Sequence, residues 1–208
     1  MSIYSYHTLQ HPANGFYKEK GSKFLAFAYP VDSEADIKMR LEHVKKEYFD
    51  ARHHCFAWML GADKNHFRAF DDGEPSHSAG TPILGQIRSK GITNILIVVV
   101  RYFGGIKLGV GGLIEAYKAA AEDALRNGSI VKIELTETIW LQFEYTMLAD
   151  IMKIIKDFGL KILEQDFSEK GTMTIGIPLR EKEKLLDKLR LLKALGRSIT
   201  WKVDGQFS

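Results

Sequence analysis

Six consecutive apolar residues, Ile95 to Val100, mostly β-branched and without alternation, constrain this chain more than any other stretch. An uninterrupted run of that length predicts a central strand covered on both faces. It is far too short to cross a bilayer. Arg101, Tyr102 and Phe103 follow, and then five glycines within nine residues: Gly104, Gly105, Gly109, Gly111 and Gly112. Glycine at that density marks backbone that needs positive φ or must approach something closely. A helix is expected from Leu113, with Leu113, Tyr117, Ala120 and Ala124 at helical spacing. Strand, glycine loop and helix N-terminus together present free N–H groups that suit an anion.

The surrounding chain decides what such an element belongs to. Its 208 residues are enough for one large or two small domains, and 45% hydrophobic with 26% charged residues predicts an ordinary folded core. The net charge of +3 is evenly spread: residues 1–130 carry sixteen basic and fourteen acidic side chains, residues 131–208 thirteen and twelve. That excludes a basic tail or a basic domain but not a local basic patch. The single cysteine, Cys55, rules out an intramolecular disulfide and fits a reducing compartment. No basic segment followed by an apolar run opens the sequence, so no signal peptide is expected and the chain reads as cytoplasmic.

Two halves differ in character. All seven histidines lie at or before His77, and thirteen of the eighteen glycines precede residue 130, so the first half is the expected site-bearing part. Ile3 to Thr8 and Lys23 to Val31 read as strands. Ser33 with Asp36 forms an approximate capping box for a helix striped by Ile37, Leu41, Val44 and Tyr48. Cys55 to Leu60 reads as a strand, residues 65–82 as loop, and Ile83 to Ser89 as helix. After Asn127-Gly128 the pattern restarts: strand 136–145, helix 148–158 closed by Gly159, strands 160–167 and 172–179, helix 181–195, and a last strand through Ile199, Trp201 and Val203. The order β-α-β-β-α-β is the ferredoxin-like pattern. The boundary is placed near Val131, giving domains 1–130 and 131–208.

Several clusters invite chemistry. In Arg52-His53-His54-Cys55 the strand alternation puts His53 and Cys55 on one face and His54 on the other, which argues against a shared metal, as does the absence of zinc spacings. Asp71-Asp72-Gly73-Glu74 gathers three carboxylates beside Pro75. A divalent cation or a general base would use them, but a solvated turn is the simpler account of those residue types. The glycine loop matches neither a phosphate-loop nor a dinucleotide fingerprint. It still suits phosphate through helix-terminal N–H groups, with Arg101 and Lys107 adding charge, and a tight strand-to-helix connection is the competing account. No nucleophile–base arrangement is legible.

Taken together, ARHHCFAW (51–58), DDGEPSHSAGTPIL (71–84) and VVVRYFGGIKLGVGGLIEAY (98–117) resemble the YigZ/IMPACT family, as does SKFLAF at 22–27. The resemblance implies an α+β fold. Its N-terminal domain would be like the second domain of a small-subunit ribosomal protein, also found in elongation factor G and the GHMP kinases, with a left-handed βαβ crossover. Its C-terminal domain would be ferredoxin-like, similar to the last domain of elongation factor G. The family motif falls on Arg52, His53, His54, Asp71, Asp72, Gly73, Glu74, Ala79, Gly80, Arg101, Tyr102, Gly104, Gly105, Gly109, Gly111, Gly112 and Tyr117. Two departures stand out. Ser76-His77-Ser78 replaces smaller residues and is expected to crowd the acidic turn, and Lys107 replaces an apolar residue and would strengthen anion binding.

Eukaryotic relatives regulate translation by binding the activator of a stress kinase, and a nucleic-acid or ribosome-binding role is the usual inference for bacterial members. The expectation is therefore an RNA- or ribosome-binding modulator of translation. Arg101 and Lys107 would contact phosphate, Tyr102 would stack on bases, and Arg52 with His53 or His54 would complete the surface. Asp71, Asp72 and Glu74 either order that surface through loop N–H groups or hold Mg²⁺. No other cofactor, no membrane and no DNA sequence specificity is expected. The rivals are an enzyme acting on a phosphorylated small molecule, for which fold analogy is a weak warrant, and a protein–protein module.

Overall fold

The computed structural model describes residues 2–204, which form two compact units, residues 5–133 and residues 134–204 with 2–4. The first contains β1 (Ser5–Leu9), β2 (Ala13–Glu19), β3 (Ser22–Pro30), α1 (Glu34–Glu47), β4 (His53–Leu60), β5 (His66–Phe70), α2 (Gly80–Ser89), β6 (Ile95–Tyr102), α3 (Gly109–Asn127) and β7 (Ile130–Glu134). Five strands make one sheet in the order β2-β3-β6-β4-β5, each neighbour antiparallel, while β1 pairs separately with β7. The predicted boundary at 130/131 falls within β7, a short strand that carries no buried residue.

The apolar run explains the layering. Ile95, Ile97 and Val99 face one core with α2 and α3, and Leu96, Val98 and Val100 face the other with α1. All six are fully buried. Burying such a side chain stabilises by about 1.5–3 kcal/mol, so no register that exposes either set competes. Sheets covered on both faces are usually parallel. Here the coverage comes from a β3–α1–β4 crossover whose parallel strands leave room for β6 between them. Ser33 Oγ accepts from the Asp36 amide at 3.2 Å and starts α1, with Ile37 and Val44 buried as its stripe predicts.

Sequence and structure differ at several points in this unit. β2 was not expected; Lys20 (φ 44) and Gly21 (φ 79) make a two-residue hairpin loop of the kind that matches strand twist. Residues 65–82 contain β5, an edge strand with no alternating buried face to betray it. α3 begins at Gly109, four residues before Leu113, because the fold overrides the low helix propensity of Gly111 and Gly112.

The second unit runs β8 (Thr136–Phe143), α4 (Leu148–Phe158), β9 (Lys161–Asp166), β10 (Gly171–Pro178), α5 (Lys182–Ala194) and β11 (Ile199–Asp204). Its antiparallel sheet has the order β11-β8-β10-β9, the ferredoxin-like arrangement. Ile139, Leu141 and Phe143 of β8 and Met173, Ile175 and Ile177 of β10 pack with Ile151, Ile155, Leu185 and Leu189 of the helices. Gly159 ends α4 with φ 62, as expected of a helix-closing glycine. Tyr145, expected on the buried face of β8, lies beyond it and is exposed. Among the described residues no helix is long and apolar enough to cross a membrane.

Candidate functional site

The end of β6 carries a buried charge. Arg101 Nη1 donates to Glu74 Oε1 at 2.6 Å, and the two side chains are only 8% and 4% exposed. The same oxygen accepts from the Tyr117 hydroxyl at 2.8 Å. Cys55 Sγ lies 3.3 Å from that hydroxyl and 2.9 Å from the Asp71 carbonyl oxygen. His53 Nδ1 sits 2.8 Å from the Asp72 carbonyl oxygen, which can only accept, so Nδ1 carries the proton. Its Nε2 is 4.0 Å from Glu74 Oε1.

The acidic turn is engaged throughout. Asp71 accepts from the amides of His77, Ala79 and Gly80 at 2.9, 3.0 and 2.8 Å, and so satisfies the start of α2. Asp72 Oδ2 accepts from the His54 amide at 2.7 Å. Among the described residues no group of three or more His, Cys, Asp or Glu side chains is placed to hold a metal ion. Asp71 and Asp72 thus order the turn through hydrogen bonds to main-chain amides. His77 does not crowd it: the side chain is exposed, with Nδ1 3.1 Å from Thr81 Oγ1, at a backbone φ of 65.

Burial pushes the Cys55 thiol and the Tyr117 phenol well above their ordinary values of 9.0 and 10.0. The folded protein therefore keeps protons that the unfolded chain releases, and stability present below about pH 9 declines as pH rises beyond it. The urea midpoint should fall through that range. Cys55 should also resist alkylation at about pH 9, where a free thiol is half ionised, until denaturant is added.

Above this cluster lies a cleft of about 440 Å³. It is lined by the polar side chains Arg52, His53, Glu74, Arg101 and Lys107 and by the apolar Phe103, Leu108, Val110 and Leu113. Arg52 and Lys107 are exposed. The N-cap residue of α3, Leu108, makes no side-chain cap hydrogen bond, and it lines the cleft with Gly109. The glycines serve different ends. A Cβ on Gly104 would fall 1.9 Å from the Gly21 carbonyl carbon, so this residue lets the loop lie against the β2–β3 turn. Gly105 and Gly109 have φ of 89 and 72, and a Cβ on Gly112 would meet only Leu108 Cβ, at 3.0 Å. At Gly111 φ is ordinary and a Cβ would meet nothing, so the chain's own packing does not call for glycine there.

The structure brings Arg52, His53, Arg101, Lys107 and Gly109 together at the cleft, but not Tyr102 or His54. Tyr102 packs on the α1 face, donates to Asp50 Oδ1 at 2.7 Å, and lines a separate hollow with Phe16 and Lys23. His54 is turned the same way, Nε2 3.0 Å from the Tyr48 carbonyl oxygen. Arg101 already has a carboxylate partner, so its charge is not free for phosphate in the way Lys107's is. Alternation would have pointed to Phe103, which shares the Arg101 face. Leu108, Val110 and Leu113 gave no signal beyond helix spacing.

Fold and site thus define an α+β protein of two units, the first bearing a cationic, partly apolar cleft where a central strand, a glycine loop and a helix meet. Residues 20–125 match the Impact N-terminal domain. The chain belongs to the IMPACT family. It is 39% identical over 162 residues to the IMPACT family member YigZ of Escherichia coli (strain K12), covering 76% of this chain and 79% of that protein. It is 31% identical to the IMPACT family member YvyE of Bacillus subtilis (strain 168), covering 80% and 77%. A crystal structure of a hypothetical protein, 30% identical, superposes over 99% of this chain and 100% of its own with a TM-score of 0.70.

Proposed function

We propose that this protein binds RNA, free or in the ribosome, in the cytoplasm and thereby modulates translation, with the cleft at the start of α3 as its phosphate-binding surface. The observation that supports this reading best is the conjunction at one cleft of the start of a 19-residue helix at Gly109, whose N-cap residue Leu108 offers no side-chain cap, and the exposed cations Arg52 and Lys107, with unobstructed backbone two residues further on at Gly111. Uncapped amides and the helix dipole favour an anion, and glycine lets a phosphate reach the backbone.

The test is association with ribosomes and with labelled RNA across a salt series. Lys107 is the residue to change, because Arg101→Glu would set two buried carboxylates against each other and perturb the fold. Lys107→Ala should weaken RNA binding and reduce the slope of log affinity against log salt by about one unit, the signature of one lost phosphate contact. With the acidic turn engaged internally, affinity should survive chelation of Mg²⁺. Salt-independent binding, or an unchanged slope in the variant, would count against the proposal. The cleft also has the size of a small-molecule site, so turnover of a phosphorylated metabolite, absent in Lys107→Ala, would favour the enzymatic rival.

A further inference from the structure

The cleft holds more apolar surface than a phosphate contact requires. Phe103 and Val110 are 58% and 53% exposed, and the buried Leu113 lines the cleft with them. The Arg101 guanidinium carbon lies over the buried Phe24 ring at 5.5 Å and over the Phe103 ring at 5.7 Å. Its ion pair with Glu74 therefore anchors a stack whose outer member is an exposed aromatic ring. Arg101 Nε is buried at the cleft and has no hydrogen-bond partner among the described residues. A duplex offers its phosphates and grooves but keeps its base faces stacked inside, and has no use for such a wall. An unpaired nucleotide offers both a charged phosphate and a flat apolar base.

We infer that the cleft seats one unpaired nucleotide, its base against Phe103 and the Leu108, Val110 and Leu113 wall and its phosphate against Lys107 and the start of α3. This rests on the RNA-binding reading above and narrows it to single-stranded RNA. A volume of about 440 Å³ is within the range of small-ligand sites and admits one nucleotide but no helix. Arg101 serves as a positioning residue for Phe103, held by Glu74. The division of labour is testable residue by residue: Lys107 reads charge, and Phe103 reads the base.

The test uses the whole protein and fluorescence anisotropy, comparing a short labelled single-stranded RNA with a blunt duplex of the same sequence. Adenosine monophosphate and ribose phosphate serve as competitors. The single strand should bind about tenfold more tightly than the duplex, and adenosine monophosphate should displace it at about tenfold lower concentration than ribose phosphate, as one base–aromatic stack implies. Phe103→Ala should abolish both differences, and Phe103→Trp should retain them. Equal binding of strand and duplex, with equal displacement by the two competitors, would overturn the inference and leave RNA binding standing. No binding to any RNA by the folded protein would overturn the RNA reading and the inference with it.

Discussion

Replacing Glu74 with alanine is expected to lower stability by about 3–5 kcal/mol, a large part of the 5–15 kcal/mol that a domain possesses. The carboxylate accepts from Arg101 Nη1 and from the Tyr117 hydroxyl, and both groups are buried. Its loss leaves a guanidinium without its carboxylate and a phenol with only the Cys55 thiol beside it, in a site that water scarcely reaches. Glu74→Gln should cost less, since an amide oxygen still accepts from Tyr117. The double variant Glu74→Leu with Arg101→Met should recover most of the loss, because an apolar pair of similar volume replaces buried ions without a desolvation cost. Urea denaturation of the three variants checks this. If Glu74→Ala shifted the midpoint no more than a surface change does, the ion pair would not be the anchor described here.

Gly104→Ala is expected to destabilise by about 3 kcal/mol, the upper range for overpacking, because the obstruction is backbone. The added methyl would lie 1.9 Å from the Gly21 carbonyl carbon and 2.1 Å from the Ser22 nitrogen. Neither can move without opening the β2–β3 turn, and the hydrogen bond from the Gly104 amide to the buried Ser22 hydroxyl, 3.1 Å, would go with it. Gly111→Ala is the matched control: its methyl enters open space, so stability should hold or rise by about 0.5 kcal/mol while RNA affinity falls. Thermal unfolding of the two variants side by side makes the comparison. Equal losses would mean that glycine density, and not the contact at residue 104, governs the loop.

The parts of the fold that were legible in the sequence are those that bury periodic surface. The run Ile95–Val100 announced a two-sided central strand, the stripe Leu113, Tyr117, Ala120 and Ala124 a buried helix face, and Ile139, Leu141 and Phe143 a half-buried strand. β5 escaped because its residues at a sheet edge face solvent or sit under arginines, as Phe67 does beneath Arg88. The early start of α3 escaped because glycine argues locally against a helix. At the site, the acidic turn and the glycine loop were visible as residue types, but their use depends on distant partners. Glu74 joins Tyr117 and Arg101, separated from it by 43 and 27 positions, and no local pattern encodes that. Tyr102 misled because proximity in sequence to Arg101 means opposite faces in a strand.

The place of β6 in the sheet also sets an order of events at the ribosome. β2 with β3 and β4 with β5 are hairpins that can close as soon as they emerge, yet each presents an unpaired edge to the space β6 will fill. Ala28 must wait for Ile97 and Cys55 for Val99, so neither half of the sheet is complete until Tyr102 has been synthesised and released from the exit tunnel. For that interval the edges of β3 and β4 that β6 will pair with have no partner strand. Such edges are what chaperones shield and what aggregates recruit. Translation of the segment from Pro30 to Tyr102 is thus the interval in which a newly made copy of this protein is most exposed to misassembly.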